Sequence, residues 1–382
     1  MMKKIKNIFP ILLMTFLLSN CSKEPNSVGE DLLSNNENFI SYTINLNSLS
    51  SRGYNLTTSN NSSTIMVGKY VDGNNVIEAK TLIQFTTTAV DSVFLNSIIS
   101  TEIKMRQIYS MPDTSGVLSF SIHKMLKSWN DYSFTIDSLN SDSYDPVPVA
   151  DYDLNVYSKD TLPVKFVINS ALVKNWLQGL ENFGIIFIPK PNNNYVVGFK
   201  SGDLFSYDEP ELVITYQLPE DTSSKTLILK VKQDATVFSG SVQSYPNNIL
   251  ILQGGLIKRG VCNFSIDSIP RASSLLQANL ILYVDTNFSR FSPFSLKKIQ
   301  VQEIISEDSI PKLGSLAADN TLSGDSIIIN IQQIVQKWIA RKPNYGIALR
   351  AYNEFTEIDR IAIFNSYSSK PPRLQIKYLR LP

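Results

Sequence analysis

Apolar and polar residues alternate over short stretches through most of the chain, as at Leu212/Ile214/Tyr216 and Leu374/Ile376/Tyr378, the period-two signature of strands with one buried face. Further strands are expected at 64–67, 82–85, 99–106, 118–125, 227–231, 249–252, 276–284 and 294–301, and a first one where Ile40, Tyr42, Ile44 and Leu46 alternate. Two segments break the period. Leu172, Val173, Trp176 and Leu177, like Ile334, Val335, Trp338 and Ile339, fall at i, i+1, i+4 and i+5, one side of a short helix. Asn169 or Ser170, and Asn330, stand where a side chain caps the helix start, and Gly179 or Pro343 helps end it. The continuous apolar runs 183–188 and 345–349 that follow read as strands buried on both faces.

The two helix-to-strand blocks are copies. Val173, Trp176, Asn182, Gly184, Ile185, Pro210, Leu212, Ile214 and Tyr216 recur as Val335, Trp338, Asn344, Gly346, Ile347, Pro372, Leu374, Ile376 and Tyr378, each 162 residues later. A single register across nine positions points to duplication of a whole domain. Upstream the likeness continues with small shifts, Thr81-Leu82-Ile83-Gln84-Phe85 against Gly260-Val261-Cys262-Asn263-Phe264 and Phe120-Ser121-Ile122 against Phe294-Ser295-Leu296. The polar stretch 218–225, with Pro219 and no periodicity, reads as a linker between the copies. The fold expected is all-β: two tandem jelly-roll-like antiparallel β-sandwiches, 38–217 and 226–382, each with one short helix before its last strands.

The first residues have a different character. Lys3, Lys4 and Lys6 precede an apolar run at 8–18, about half of the ~20 residues that span a bilayer, so 1–20 reads as a signal peptide. It ends in Leu18-Ser19-Asn20-Cys21, which resembles the bacterial lipobox, whose cysteine is acylated after cleavage. That resemblance makes Cys21 the lipidation site, carrying acyl chains such as palmitate, with 21–37 as its tether. At about 0.8 kcal/mol per buried methylene, several chains hold a protein on a membrane. Ser22 after the cysteine implies the outer membrane, and Ser22-Lys23-Glu24 resembles the surface-export tags of some bacterial lipoproteins, so a surface-exposed location is expected. Cys262 then has no disulfide partner and reads as a small buried thiol.

Composition narrows the chemistry. With 35 Lys and Arg against 34 Asp and Glu, no net field exists to attract a phosphate backbone, which argues against nucleic acid. The chain holds one histidine, so Ser-His-Asp, Cys-His and multi-histidine zinc sites cannot be assembled within it, and no enzymatic activity is expected. His123, in Phe120-Ser121-Ile122-His123-Lys124, reads as a surface or edge histidine opposite Ile122 in the alternation. Asp131, Asp137, Asp142, Asp145, Asp151 and Asp153 crowd a segment also rich in Ser, Tyr and Pro, read as a solvated loop. A structural calcium ion is the alternative, because hard cations take several carboxylate and carbonyl oxygens. Aromatic faces outside a core would offer a platform to a sugar ring, and Trp129, Tyr132, Tyr144 and Tyr152, with Asp131, are the clustered candidates. Trp176 and Trp338 read instead as core residues.

The duplicated block resembles the DNRLRE domain family, β-sandwich modules similar to a family of carbohydrate-binding modules. The likeness rests on Trp176, Asn182, Gly184, Ile185, Phe199, Ser201 and Pro210 with Leu212, Ile214 and Tyr216, and in the second copy on Trp338, Asn344, Gly346, Ile347, Phe364, Ser366 and Pro372 with Leu374, Ile376 and Tyr378. Trp129-Asn130-Asp131-Tyr132 also resembles the family's internal Trp segment, and the second copy lacks it. Arg341 stands where the first copy has Gly179, and Ser368 where it has Asp203, departures that leave the apolar pattern intact but weaken inference of a shared glycan site. The resemblance implies a non-enzymatic surface lipoprotein that binds an extracellular polysaccharide or mediates adhesion. The alternative is a structural or assembly lipoprotein that docks a surface protein partner and takes no small ligand.

Overall fold

The alternating segments become strands in the computed structural model, which describes residues 39–379 except 46–51, 56–61, 157–162, 203–207, 272, 307 and 341–342. The signal peptide, Cys21 and its tether, Asp203 and Arg341 lie outside the described residues. Two strands come first, β1 (Phe39–Asn45) and β2 (Arg52–Asn55). The first repeat runs through β3 (Thr64–Asp72), β4 (Asn75–Phe85), helix α1 (Ser92–Ser97), β5 (Ile98–Met111), β6 (Gly116–Lys124), β7 (Ala150–Val156), β8 (Pro163–Val167), helix α2 (Ser170–Leu177), β9 (Ile185–Pro189), β10 (Tyr195–Lys200) and β11 (Glu211–Tyr216). After the long β12 (Lys225–Ser241), the second repeat follows as β13 (Ile249–Gln253), β14 (Lys258–Cys262), β15 (Ser274–Tyr283), β16 (Lys298–Ser306), β17 (Lys312–Thr321), β18 (Ser326–Asn330), helix α3 (Gln332–Ile339), β19 (Ile347–Ala351), β20 (Arg360–Phe364) and β21 (Arg373–Leu379). The pairings are antiparallel and the fold is all-β, two sandwiches in tandem.

In the first sandwich, β4, β5 and β12 bend from one layer into the other. The ladders therefore join as β12-β11-β5-β10-β3-β4-β9-β6-β7, closed by β12 pairing with β4. In the second, β1-β21-β15-β18 faces β17-β16-β19-β14-β13-β20, with β2 added at β14. The first core is aromatic, with Phe85, Phe120, Phe166, Phe187 and Phe199 around Trp176. The second is aliphatic, with Leu280, Ile299, Val301, Ile327 and Ile329 around Trp338.

The paired tryptophans have one setting. Trp176 is 2% exposed on α2 and Trp338 is 4% exposed on α3, each with its helix's other apolar side chains turned into its own core. Both indole N–H groups are buried without an acceptor among the described residues. The Asn-x-Gly motif has a mechanical reason in both copies. Asn182 accepts from the Gly184 N–H (2.9 Å) and donates to the Phe85 carbonyl (2.9 Å); Asn344 accepts from the Gly346 N–H (3.0 Å) and donates to the Phe264 carbonyl (2.7 Å). Gly184 and Gly346 sit at φ +82° and +87°, and a Cβ at Gly184 would meet the Ile83 carbonyl oxygen at 2.2 Å. The shared motif fastens a loop to a strand.

Strand pairing also tests the upstream matches. Ile83 lies opposite Ile185 and Cys262 opposite Ile347, so that alignment is in register. The Phe120 match is not. Phe120 and Ile122 pair with Pro189 and Phe187, and the corresponding residues of β19 pair with Ile299 and Val301, whereas Phe294 lies in the loop before β16. Phe364 is likewise one residue out of step with Phe199. Phe199 is in the first core, while Phe364 packs outside the second with Ile249, Ile251 and Ala362, and Ile363 faces inward.

The expected domain boundaries need a larger correction. Residues 218–225 do not link two domains; they turn one strand back on another, so that Tyr216 faces Lys225 and Leu212 faces Leu229 across β11 and β12. The same β12 then runs along β4, with Ala235 opposite Leu82. Strands β1 and β2 belong to the second sandwich, β1 on β21 with Tyr42 opposite Ile376 and Ile44 opposite Leu374, and β2 on β14 with Arg52 opposite Val261. These registers repeat those of β12 on β11 and β4, position for position along the repeat. The first sandwich is therefore continuous, residues 62–241, and the second is assembled from 39–55 and 249–379. Non-local ladders decide membership, and local periodicity carries no information about them.

The sandwiches also meet side by side. Met66, Tyr109, Met111 and Val196 on the outer face of the first are covered by Ile358 and Leu256 of the second. Ser292 donates to the Ser110 carbonyl (2.8 Å), Ser62 to the Phe355 carbonyl (2.9 Å), and Asp72 is paired with both Arg290 and Arg360.

Candidate functional site

The segment after β6 carries the residues singled out for binding, and its structure separates them. Trp129 is 9% exposed; its indole N–H donates to the Phe183 carbonyl (2.8 Å) and its ring meets Phe134 edge-on in a satellite core with Leu82, Met125 and Ile186. Tyr144 is half-buried, edge-on to His123 and packed against that satellite core. Tyr152 points into the main core between Phe120 and Phe166, its hydroxyl donating to the Val167 carbonyl. Tyr132 alone is well exposed, at 69%, and Asp131 beside it is partly exposed. The expected aromatic platform is thus not assembled. Met125, Phe134, Ile136 and Leu139 supply enough apolar surface to fold the segment onto the sandwich, and Trp129 serves that packing.

The carboxylates disperse as well. Lys127 pairs with Asp142 (2.5 Å) and Lys190 with Asp151 (3.0 Å), Asp153 accepts from Ser119 (2.5 Å), and Asp145 accepts from the Val147 N–H (2.9 Å). Lys127 holds the Asp142 carboxyl below its ordinary range. Among the described residues no three of His, Cys, Asp and Glu gather to hold a metal ion, so the calcium alternative finds no cage there. Asp151 and Asp153 sit on the edge strand β7 rather than in a solvated loop. His123 is corrected too. It is 7% exposed, its Nδ1–H donating to the Asp145 carbonyl (2.8 Å), which leaves Nε2 to accept from Ser121 (2.8 Å) in the neutral ring.

What remains is a hollow of about 420 Å³ bordered by Trp129 and by Asn130, Ser133, Ser138, Asn140 and Ser143, with Lys127, held by Asp142, also in its lining. Its amides and hydroxyls both donate and accept, the chemistry that meets neutral hydroxylated ligands. The second repeat lacks the counterpart segment.

A second cluster lies where the sandwiches touch. The Tyr109 hydroxyl donates to Asp359 (2.9 Å) and accepts from the Ile358 N–H (3.1 Å), and Asp359 also accepts from the Ser292 N–H (3.1 Å). Burial pushes the Asp359 carboxyl up to about 6 and the Glu357 carboxyl up to about 7, each with Ser295 beside it. Burial likewise holds the Tyr109 phenol well above its ordinary range. Next to them Arg259 grips Glu354 through Nε (3.1 Å) and Nη2 (2.5 Å), and a void of about 10 Å³ between Glu354, Glu357 and Asp359 has room for one water. Local patterning does not reveal this cluster, because Tyr109 and Asp359 stand 250 residues apart.

Cys262 is fully buried in the second core, and burial pushes its thiol up to about 12. A chain beginning at Ser22 is therefore expected to resist a disulfide reagent at pH 8 while folded and to react once denatured. Rapid labelling of the folded chain would contradict this placement.

No family model and no curated protein matches the chain.

Proposed function

We propose that the chain is a non-catalytic, lipid-anchored surface protein of the outer membrane with a structural or assembly role, held at Cys21 and docking protein partners. The observation that carries this reading is the way the two sandwiches are joined. The segment nearest the tether is built into the far sandwich, and the near faces share a buried junction, so the anchor leads into one interlocked body. The dispersal of the aromatic candidates removes the main support for a sugar platform and shifts weight to this role. DNRLRE membership belongs to the same proposal, supported by matched settings of Trp176 and Trp338 and of the two Asn-x-Gly motifs. Crosslinking on intact cells is expected to trap one protein partner of defined mass, lost when Cys21→Ser releases the chain from the membrane. A spread of unrelated neighbours would count against the role.

Glycan binding is the second reading, favoured by the hollow of amides and hydroxyls beside Trp129. Calorimetry of the chain from Ser22 onward against neutral polysaccharides is expected to give heat that Asn140→Ala abolishes. Uniform absence of heat across the panel would remove this reading and leave the first intact.

A further inference from the structure

The geometry points to the edge formed by β21 and β14 as a strand-acceptor site, and to β1 and β2 of a second copy of this chain as the partner that fits it. The inference rests on the assembly reading and names its partner.

Three observations carry it. First, each sandwich is closed by a strand that comes from outside its own repeat in the same register, β12 on β11 and β4, β1 and β2 on β21 and β14. The need for such a strand is thus built into both copies. Without β1, all of β21 becomes an edge, with a row of backbone groups left to pair. Second, the two closing strands are held differently. The turn at 217–224 ties β12 to β11, so it cannot leave the first sandwich without breaking a hairpin, and it pairs with β4 through ten positions. No hairpin ties β1 to β21 or β2 to β14; along the sequence the next strand after them is β3, in the other sandwich. Third, among the described residues each is an edge strand with a single partner, β1 pairing only with β21 and β2 only with β14.

A strand that reaches its seat through the chain of a neighbouring sandwich makes the same ladder whether that neighbour is its own or another molecule's. Exchange between copies keeps every hydrogen bond of the seat and changes only which chain supplies it, the low-cost route of domain swapping. The contact is head-to-tail, first strands of one chain on the last strand of the next. It gives rings when it closes and open chains when it does not. The residues that face outward across this ladder, Thr43 and Gln375, lie directly opposite and are both exposed.

Thr43→Cys and Gln375→Cys, placed in chains that begin at Ser22, make the test. Put together in one chain they are expected to close a disulfide within the monomer. Put in separate chains, mixed, unfolded and refolded together, they are expected to give a covalent dimer containing one of each, whose yield rises with protein concentration. Lys312→Cys, on β17 of the opposite layer, replaces Gln375→Cys as the control that gives no dimer with Thr43→Cys. The proposal is overturned if the mixture stays monomeric at every concentration while the double variant closes, and also if the double variant fails to close, since β1 is then not on β21. In the first case crosslinking to a different protein on cells still stands as the test of the assembly role.

Discussion

Severing the chain within 218–225 is expected to yield two halves that do not fold, whereas residues 62–241 alone should fold cooperatively. The first half, ending at 217, keeps β11 and β4 but loses the strand that covers both. Leu227, Leu229 and Val231 leave the main core, and Ala235 and Val237 leave the satellite core. At roughly 1–2 kcal/mol for each of these partly or fully buried side chains, the loss is on the order of 5 kcal/mol or more, comparable with the whole stability of about 5–15 kcal/mol of an ordinary domain. The second half is worse placed: it lacks β1 and β2 and carries β12 without the strands it pairs with, β11 and β4. Residues 62–241 hold every strand of the first sandwich, at the cost of baring Met66, Tyr109 and Val196, so that fragment should be folded and prone to associate. Near-ultraviolet circular dichroism and thermal melts of the three pieces would decide. Two halves cut at 218–225 that each melt cooperatively as monomers would refute the assignment of strands.

Stability is expected to fall as pH rises from about 4 to 8, by up to several kcal/mol. Asp359 and Glu357 titrate near 6 and 7 in the folded chain, against ordinary values of 3.8 and 4.5. Across that interval the folded state holds protons that the unfolded state has released, so the slope of unfolding free energy against pH is negative. The favourable contribution is complete below about 4 and is lost as pH rises through 6 and 7. Each carboxyl is worth about 3 kcal/mol at 1.36 kcal/mol per pH unit. The pair is worth less than twice that, because the charge of Asp359 helps to raise Glu357. Around them Tyr109, Ser292, Ser295 and Asn353 supply hydrogen bonds and Lys297 an opposing charge, none of which restores the lost hydration. Asp142, Asp221 and Asp325 are held down by lysines and act only in more acid solution. Urea melts at pH 5 and pH 8 measure the slope, and Glu357→Gln should flatten it by raising stability at pH 8. A slope of the opposite sign would exclude the junction as its source.

The repeated block was legible because burial constrains residue type at fixed spacing. Trp176 and Trp338, with Val173 and Val335 one turn earlier, can be paired by eye, and each pair does share one environment. Which sandwich owns β1 was not legible. The alternation at Ile40, Tyr42 and Ile44 marks a strand, but an antiparallel ladder with Leu374 and Ile376 is chosen by three-dimensional closure. Pro219, Glu220, Asp221 and Ser223 suit a turn as well as a linker, since both want residues that leave regular structure. Aromatic identity misled at Phe294 and Phe364, where the equivalent inward positions hold Ile299 and Ile363. At Trp129 an aromatic among Asn, Asp and Ser reads as a platform, yet Phe134, Ile136 and Leu139 further along supply a core for it. The junction of Tyr109 with Asp359 had no local signal, because each is unremarkable within its own strand or loop.

Pairing Phe39 with Leu379 gives the fold a contact that spans almost the whole sequence. During synthesis, residues 62–241 emerge with everything their sandwich requires, while the stretch before them must wait about 340 residues for its partner. Loop closure on that scale is slow. The first strands of the fold to leave the ribosome are therefore the last to find their place, and throughout that interval they stay within reach of whatever else can bind a bare backbone.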